Sequence, residues 1–144
     1  MEGKKTAHIV IINGPNLNLL GRREPEIYGS MSFDDYLLQL RAQFPEVEIV
    51  YFQSNHEGAI IDCLQSWDGH CDGIVLNAGA YTHTSIAIRD CVSAISVPVV
   101  EVHISDIRKR EPFRRYSFLT EVCQSTIMGK GLAGYAEAVK QFMV

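Results

Sequence analysis

Long apolar runs are missing from this 144-residue chain. No segment therefore reads as a membrane span, which needs about 20 consecutive apolar residues. The opening residues, Met1-Glu2-Gly3-Lys4-Lys5-Thr6, lack the apolar stretch of a signal peptide, so a cytoplasmic protein is expected. Positive charge is not in excess. Lysine and arginine total 13 against 17 aspartates and glutamates, a net charge of -4, which argues against nucleic acid as the main partner. Only four cysteines occur, Cys63, Cys71, Cys91 and Cys123, with no C-x-x-C pair and no histidine pair at zinc-finger spacing. They read as reduced, buried thiols that pack as small hydrophobes. Both glycine-rich phosphate-loop patterns are absent, and Gly129-Lys130-Gly131 reads as a turn. The remainder is ordinary globular composition, 47% apolar and 21% charged, with enough chain for one sizeable core.

Short apolar runs alternate with amphipathic stretches. His8 to Asn13 reads as a fully buried strand, followed by a Gly/Pro/Asn-rich segment from Gly14 to about Met31. Ser32 reads as a helix N-cap, Phe33, Leu37, Leu40 and Phe44 as one helical face, and Pro45 as its stop. A strand follows over Val47 to Phe52, then a helix over about Glu57 to Trp67. Gly73 to Leu76 marks a third strand ending at Asn77, and about Thr84 to Ile95 a third helix. Pro98 to Ile104 is the fourth strand and Val122 to Met128 the fifth, separated by a charged segment from Arg108 to Tyr116. Leu132, Tyr135, Ala136, Val139 and Met143 form the apolar stripe of a closing helix. Five strands alternating with helices imply a parallel sheet covered on both faces. The simplest topology is α/β and flavodoxin-like: a doubly wound five-stranded parallel sheet in three layers, within a single catalytic domain spanning 1–144.

In such sheets ligands bind outside the carboxyl ends of the strands. The first strand ends in Asn13-Gly14-Pro15-Asn16 and leads into Gly21-Arg22-Arg23-Glu24-Pro25-Glu26-Ile27-Tyr28-Gly29. A loop of this length is usually functional, which makes about 17–30 a candidate active-site lid. The third strand ends in Asn77, followed by Ala78-Gly79-Ala80-Tyr81-Thr82-His83-Thr84-Ser85. Glu101 and His103 share one face of the fourth strand, where a charged pair is costly unless it is partnered or functional. Seven of the eight arginines lie in or just after these segments, Arg41 being the exception, which suggests an anionic ligand. Other occupants of such a sheet fit less well. A receiver domain needs an acidic cluster after the first strand, and a flavodoxin needs a Ser/Thr-rich phosphate loop there; this chain has Gly-Pro-Asn-Leu. A phosphate-binding hydrolase using the arginines and histidines remains the rival enzyme class.

The blocks Ile12-Asn13-Gly14-Pro15-Asn16-Leu17 to Gly21-Arg22-Arg23-Glu24-Pro25 with Tyr28-Gly29, Asn77 to Ser85, and Glu101-Val102-His103-Ile104-Ser105 resemble the type II 3-dehydroquinate dehydratases. The likeness runs from about His8 to the last helix, with Ala78 and Asp106 departing from residues often seen there. It implies removal of water from 3-dehydroquinate through an enolate, giving 3-dehydroshikimate, with no cofactor and no metal. The setting would be the shikimate pathway, with quinate catabolism as the alternative. Tyr28 matches the general base, His103 the general acid, Arg23 the lid arginine, Asn16 the residue that holds a water, and Glu101 the partner that orients the histidine. Asn77, His83, Ile104, Ser105 and Arg114 match substrate-binding positions. Asp90 matches one that reaches a neighbouring subunit's site, and a homododecamer of trimers is implied. The residue types suit that chemistry. A proton beside a ketone needs a base and a way to hold the enolate, and the departing hydroxyl needs an acid.

Overall fold

The structure, a computed structural model, describes residues 6–22 and 24–143, with Pro25 and Tyr28 described by their backbone. Strands β1 (Ala7–Asn13), β2 (Val47–Gln53), β3 (Gly73–Asn77), β4 (Val99–His103) and β5 (Ser125–Met128) form one parallel sheet in the order β2-β1-β3-β4-β5. The helices are α1 (Pro25–Tyr28), a single turn, then α2 (Phe33–Gln43), α3 (Glu57–Trp67), α4 (Ile86–Ala94) and α5 (Ala133–Gln141). This is the flavodoxin-like, doubly wound arrangement in three layers. No helix among the described residues is long and apolar enough to cross a membrane.

Burial on both faces explains the continuous apolar strands. Ile9 and Ile11 pack with Leu40 of α2 and with Tyr135 and Val139 of α5. Val10 and Ile12, pointing the other way, pack with Ile60 and Leu64 of α3 and with Ile88 and Val92 of α4. Ser32 caps α2, its hydroxyl accepting from the Asp35 amide at 3.2 Å. Ser85 caps α4 in the same way from Ile88 at 2.9 Å. That helix therefore starts later than the apolar period suggests, because the Thr84 amide closes a 3-10 turn, Gly79–His83, on the Tyr81 carbonyl.

Two readings of the sequence need correction. The fifth strand begins at Ser125, not Val122: the Leu119 carbonyl accepts from both the Val122 and Cys123 amides and turns the chain there. Apolar residues at 122 and 123 pack on the core without pairing in the sheet. Of the four free cysteines, Cys63 and Cys91 are buried, but Cys71 and Cys123 are only partly so. The charged segment after β4 resolves into two 3-10 turns, Ile107–Lys109 and Pro112–Arg114.

The chain steps outward from β1 to β2, then returns past β1 to β3, so the switch point lies between β1 and β3. There Asn13 and Asn77 stand in register at the strand ends. The Gly14 amide donates to the Asn77 carbonyl at 2.7 Å. A Cβ on Gly14 would lie 2.4 Å from the Ala78 carbonyl oxygen, so only glycine lets the two strand ends approach this closely.

Candidate active site

Just beyond those ends a cleft of about 100 Å³ opens. The loop after β1 contributes Pro15, Asn16 and Leu17; the end of β3 and its 3-10 turn contribute Asn77, Gly79, Ala80 and His83. From the end of β4 onward come His103, Ile104, Ser105, Ile107, Arg110 and Arg114. Asn16 has φ 68°, a left-handed conformation that asparagine tolerates better than most residues, and its amide donates to Asn55 Oδ1 at 3.0 Å. That bond ties the loop to the chain that follows β2.

Strand alternation places Glu101 and His103 on one face of β4. Glu101 is fully buried and His103 is 5% exposed. His103 Nε2 lies 2.5 Å from Glu101 Oε2. Three hydroxyls also donate to this carboxylate: Ser117 at 2.5 Å, Thr120 at 2.8 Å and Thr126 at 2.8 Å. Burial alone would push the Glu101 carboxyl up. The hydrogen bond and charge of His103, with the Ser117 and Thr126 hydroxyls, outweigh burial and hold it down at about 2. Glu101 is thus a carboxylate at neutral pH. It accepts the Nε2 hydrogen, fixes the ring and leaves Nδ1 outside the pair.

The hydroxyl cradle has a pH signature. The folded-state value of Glu101 lies below its ordinary value of 4.5, so its ionisation stabilises the fold at neutral pH. That contribution is lost as pH falls from 4.5 toward about 2. Thr126→Val removes one donor and should destabilise the protein by about 1–2 kcal/mol at pH 7. The difference from wild type should shrink as pH is lowered through that window, as measured by denaturant unfolding at a series of pH values. A difference constant with pH would show that the hydroxyl does not act through the charge.

His83 is held differently. Its Nδ1 lies 2.8 Å from the Tyr116 carbonyl, which only accepts, so Nδ1 carries the hydrogen and Nε2 is left as an acceptor. Burial, aided by the charges of His103 and Arg114, lowers its pKa against the opposing pull of the Tyr116 carbonyl and Glu101. His83 is therefore a neutral ring at pH 7, suited to binding a hydroxyl.

The arginine concentration divides on folding. Arg114 lines the cleft, with Nε donating to Glu111 Oε2 at 3.0 Å. Arg110 also lines it, 13% exposed, donating from Nη1 to Ser105 Oγ at 3.1 Å and approaching Glu24 at 3.9 Å. Arg108 does not line the cleft: its side chain is 73% exposed and paired with Asp106 at 2.9 Å. Arg89 is engaged by Glu121 and the Phe118 carbonyl. The sequence assigned Arg110 no role, since spacing alone does not say which of several neighbouring arginines turns inward.

Of the residues expected at the site, Asn16, Asn77, His83, His103, Ile104, Ser105 and Arg114 meet in the cleft, with Glu101 behind His103. Asp90 is exposed on α4 and does not line it. Arg23 lies outside the described residues, as does the Tyr28 side chain; the backbone puts Tyr28 at the end of α1. The loop carrying them is not structureless: it contains α1 and a 3-10 turn, Leu17–Leu19. Among the described residues, no three His, Cys, Asp or Glu side chains are grouped as metal ligands.

A doubly wound parallel sheet with a polar cleft at its carboxyl edge and a buried carboxylate–histidine pair in the cleft wall has the layout of a flavodoxin-like enzyme. Comparison with known proteins narrows that class. Residues 7–143 match the family model for dehydroquinase class II, and the chain belongs to this family of hydro-lyases. It is 54% identical over 132 residues to a 3-dehydroquinate dehydratase of Exiguobacterium sp., covering 91% of this chain and 90% of that protein. It is 48% identical over 134 residues to a catabolic 3-dehydroquinase of Aspergillus clavatus, covering 92% and 89%. The crystal structure of the type II dehydroquinase from Butyrivibrio crossotus superposes with a TM-score of 0.92 at 44% identity, covering 96% of this chain and 98% of that one.

Proposed function

We propose that this chain converts 3-dehydroquinate to 3-dehydroshikimate by trans-elimination of water through an enolate. The single observation that carries the reading is the buried Glu101–His103 pair at the edge of a cleft that also holds Arg114 and a neutral His83. A base takes the proton from the carbon between the ketone and the hydroxyl-bearing carbon, giving an enolate. The enolate then expels the neighbouring hydroxyl, which leaves as water on protonation by His103. Tyr28 is the base, and Arg23 assists it and the transition state. Asn16 holds a water against the enolate, and Glu101 orients His103. Asn77, His83, Ile104, Ser105 and Arg114 bind the substrate, the two backbone amides after β4 receiving its carboxylate.

The segment 17–30 closes as a lid over the cleft of this single catalytic unit, excluding water and strengthening charges within. Asp90, exposed on α4, reaches a neighbouring subunit's site in a homododecamer. Four free thiols suit a reducing cytoplasm. The pathway is aromatic biosynthesis. Quinate breakdown uses the same chemistry, and a similar fungal protein is named for a catabolic role.

The test is the rise of enone absorbance when 3-dehydroquinate is added to pure protein; no rise refutes the reading. A second measurement fixes the mechanism class. Since no lysine among the described residues lines the cleft, borohydride added with substrate should leave activity intact, and chelators should do nothing. Irreversible loss on reduction would indicate an imine and rule out direct enolate formation.

A further inference from the structure

Beneath the cleft, Tyr135 of α5 is completely buried, yet its hydroxyl contacts two asparagines at once. It lies 2.9 Å from Asn77 Nδ2 and 2.8 Å from Asn13 Oδ1. Asn13 Nδ2 in turn faces the Tyr51 hydroxyl at 3.4 Å. At the other end of the chain of contacts, Asn77 Oδ1 lies 3.1 Å from the Gly79 amide nitrogen.

The direction of every bond in this relay follows from its last member. A backbone N–H can only donate, so the oxygen of Asn77 must face Gly79. Its Nδ2 therefore faces Tyr135. A phenol has one hydrogen, and burial pushes the Tyr135 phenol far up, so it keeps that hydrogen and donates it in a hydrogen bond to Asn13 Oδ1. Asn13 is then left donating to Tyr51. Reversing Asn77 would set its Nδ2 against the Gly79 N–H, two donors, and reversing Asn13 would leave the buried Tyr135 hydrogen without an acceptor.

The ring of Tyr135 is clamped by Phe33, at 4.9 Å between centroids, and by Tyr36 at 6.2 Å. The hydroxyl is thus fixed from the core side. We propose that Tyr135 is a positioning residue that sets the orientation of the Asn77 amide, so that the amide's second N–H is presented to the substrate as a donor. This rests on the reading of Asn77 as a substrate-binding residue. Tyr135 itself, being buried, does not touch substrate.

The experiment is a double-mutant cycle in steady-state kinetics with 3-dehydroquinate. Tyr135→Phe keeps the ring and removes the hydroxyl. KM should rise about 10-fold with kcat within roughly 3-fold, because a binding contact shared by ground and transition states is weakened. In the Asn77→Ala background the same change should alter kcat/KM by less than about 2-fold, since the relay has nothing left to orient. A merely structural role would lower thermal stability without this background-dependent KM effect. Unchanged KM, a loss confined to kcat, or an equal cost in both backgrounds overturns the inference. Should Tyr135→Phe fail to fold, Asn13→Ala removes the hydroxyl's acceptor with the ring in place and should raise KM several-fold; no change overturns it as well. If the wild-type chain does not turn over 3-dehydroquinate, the functional reading fails first, and this inference with it.

Discussion

Replacing His103 by alanine should lower kcat by roughly 10²–10⁴-fold, the usual size of general-acid catalysis and equivalent to about 3–5 kcal/mol of barrier. The hydroxide leaving the enolate is a poor leaving group without a proton, and His103 is the histidine in the cleft held against a carboxylate. His83 is a weak substitute, because burial favours its neutral form. The variant should remain folded but lose stability. Glu101 would be left buried without the ring, yet three hydroxyls from Ser117, Thr120 and Thr126 still satisfy it. Those donors soften the penalty of about 3–5 kcal/mol typical of an orphaned buried charge. Circular dichroism separates the two effects. Near-wild-type turnover in a folded variant would remove His103 from the acid role.

The second large effect is expected at Tyr28. Tyr28→Phe should abolish turnover while leaving substrate binding measurable by calorimetry. An ordinary tyrosine ionises near pH ~10, so a tyrosine base working at pH ~7–8 needs roughly 3–4 kcal/mol of added phenolate stabilisation. One solvent-exposed arginine gives about 0–1 kcal/mol, whereas the same charge under a closed lid gives more. Arg23→Ala should therefore also lose most of kcat, and its residual activity should climb toward higher pH as the unassisted tyrosine ionises. The pH–kcat profile of Arg23→Ala beside wild type is the decisive measurement. A slow variant with an unshifted basic limb would place Arg23 on the substrate or enolate instead. Substantial turnover by Tyr28→Phe would mean that another residue is the base.

Much of this site was legible because it sits at strand ends. Alternating strands and helices imply a sheet covered on both faces, and a ligand at its carboxyl edge follows from topology. Glu101 and His103 stood out because a period-two charged pair in a buried strand demands a partner or a purpose. The arginines were visible as a group but not as individuals. Arg108, bound by its neighbour Asp106, turns outward, while Arg110 two residues later turns in; each orientation depends on contacts that one-dimensional spacing does not encode.

Tyr135 makes the same point from the core. In the sequence it belongs to the apolar stripe of the closing helix, and it does pack there, against Phe33 and Tyr36. That its hydroxyl meets residues 58 and 122 positions earlier depends on where α5 lies across β1 and β3. Thr126 likewise reads as an ordinary strand residue until β5 pairs with β4 in the register that sets it opposite Glu101. By itself the sequence determined the alternation of elements, the cap at Ser32 and the gathering of polar residues at the strand ends. These are local matters of periodicity, backbone geometry and side-chain chemistry. Only the tertiary structure decided which arginines enter the cleft, how His103 and the Ser117 and Thr126 hydroxyls keep a buried carboxylate charged, and which way an asparagine amide points. Those outcomes arise from long-range strand register and helix packing, where each donor finds its acceptor only after distant segments have been brought together.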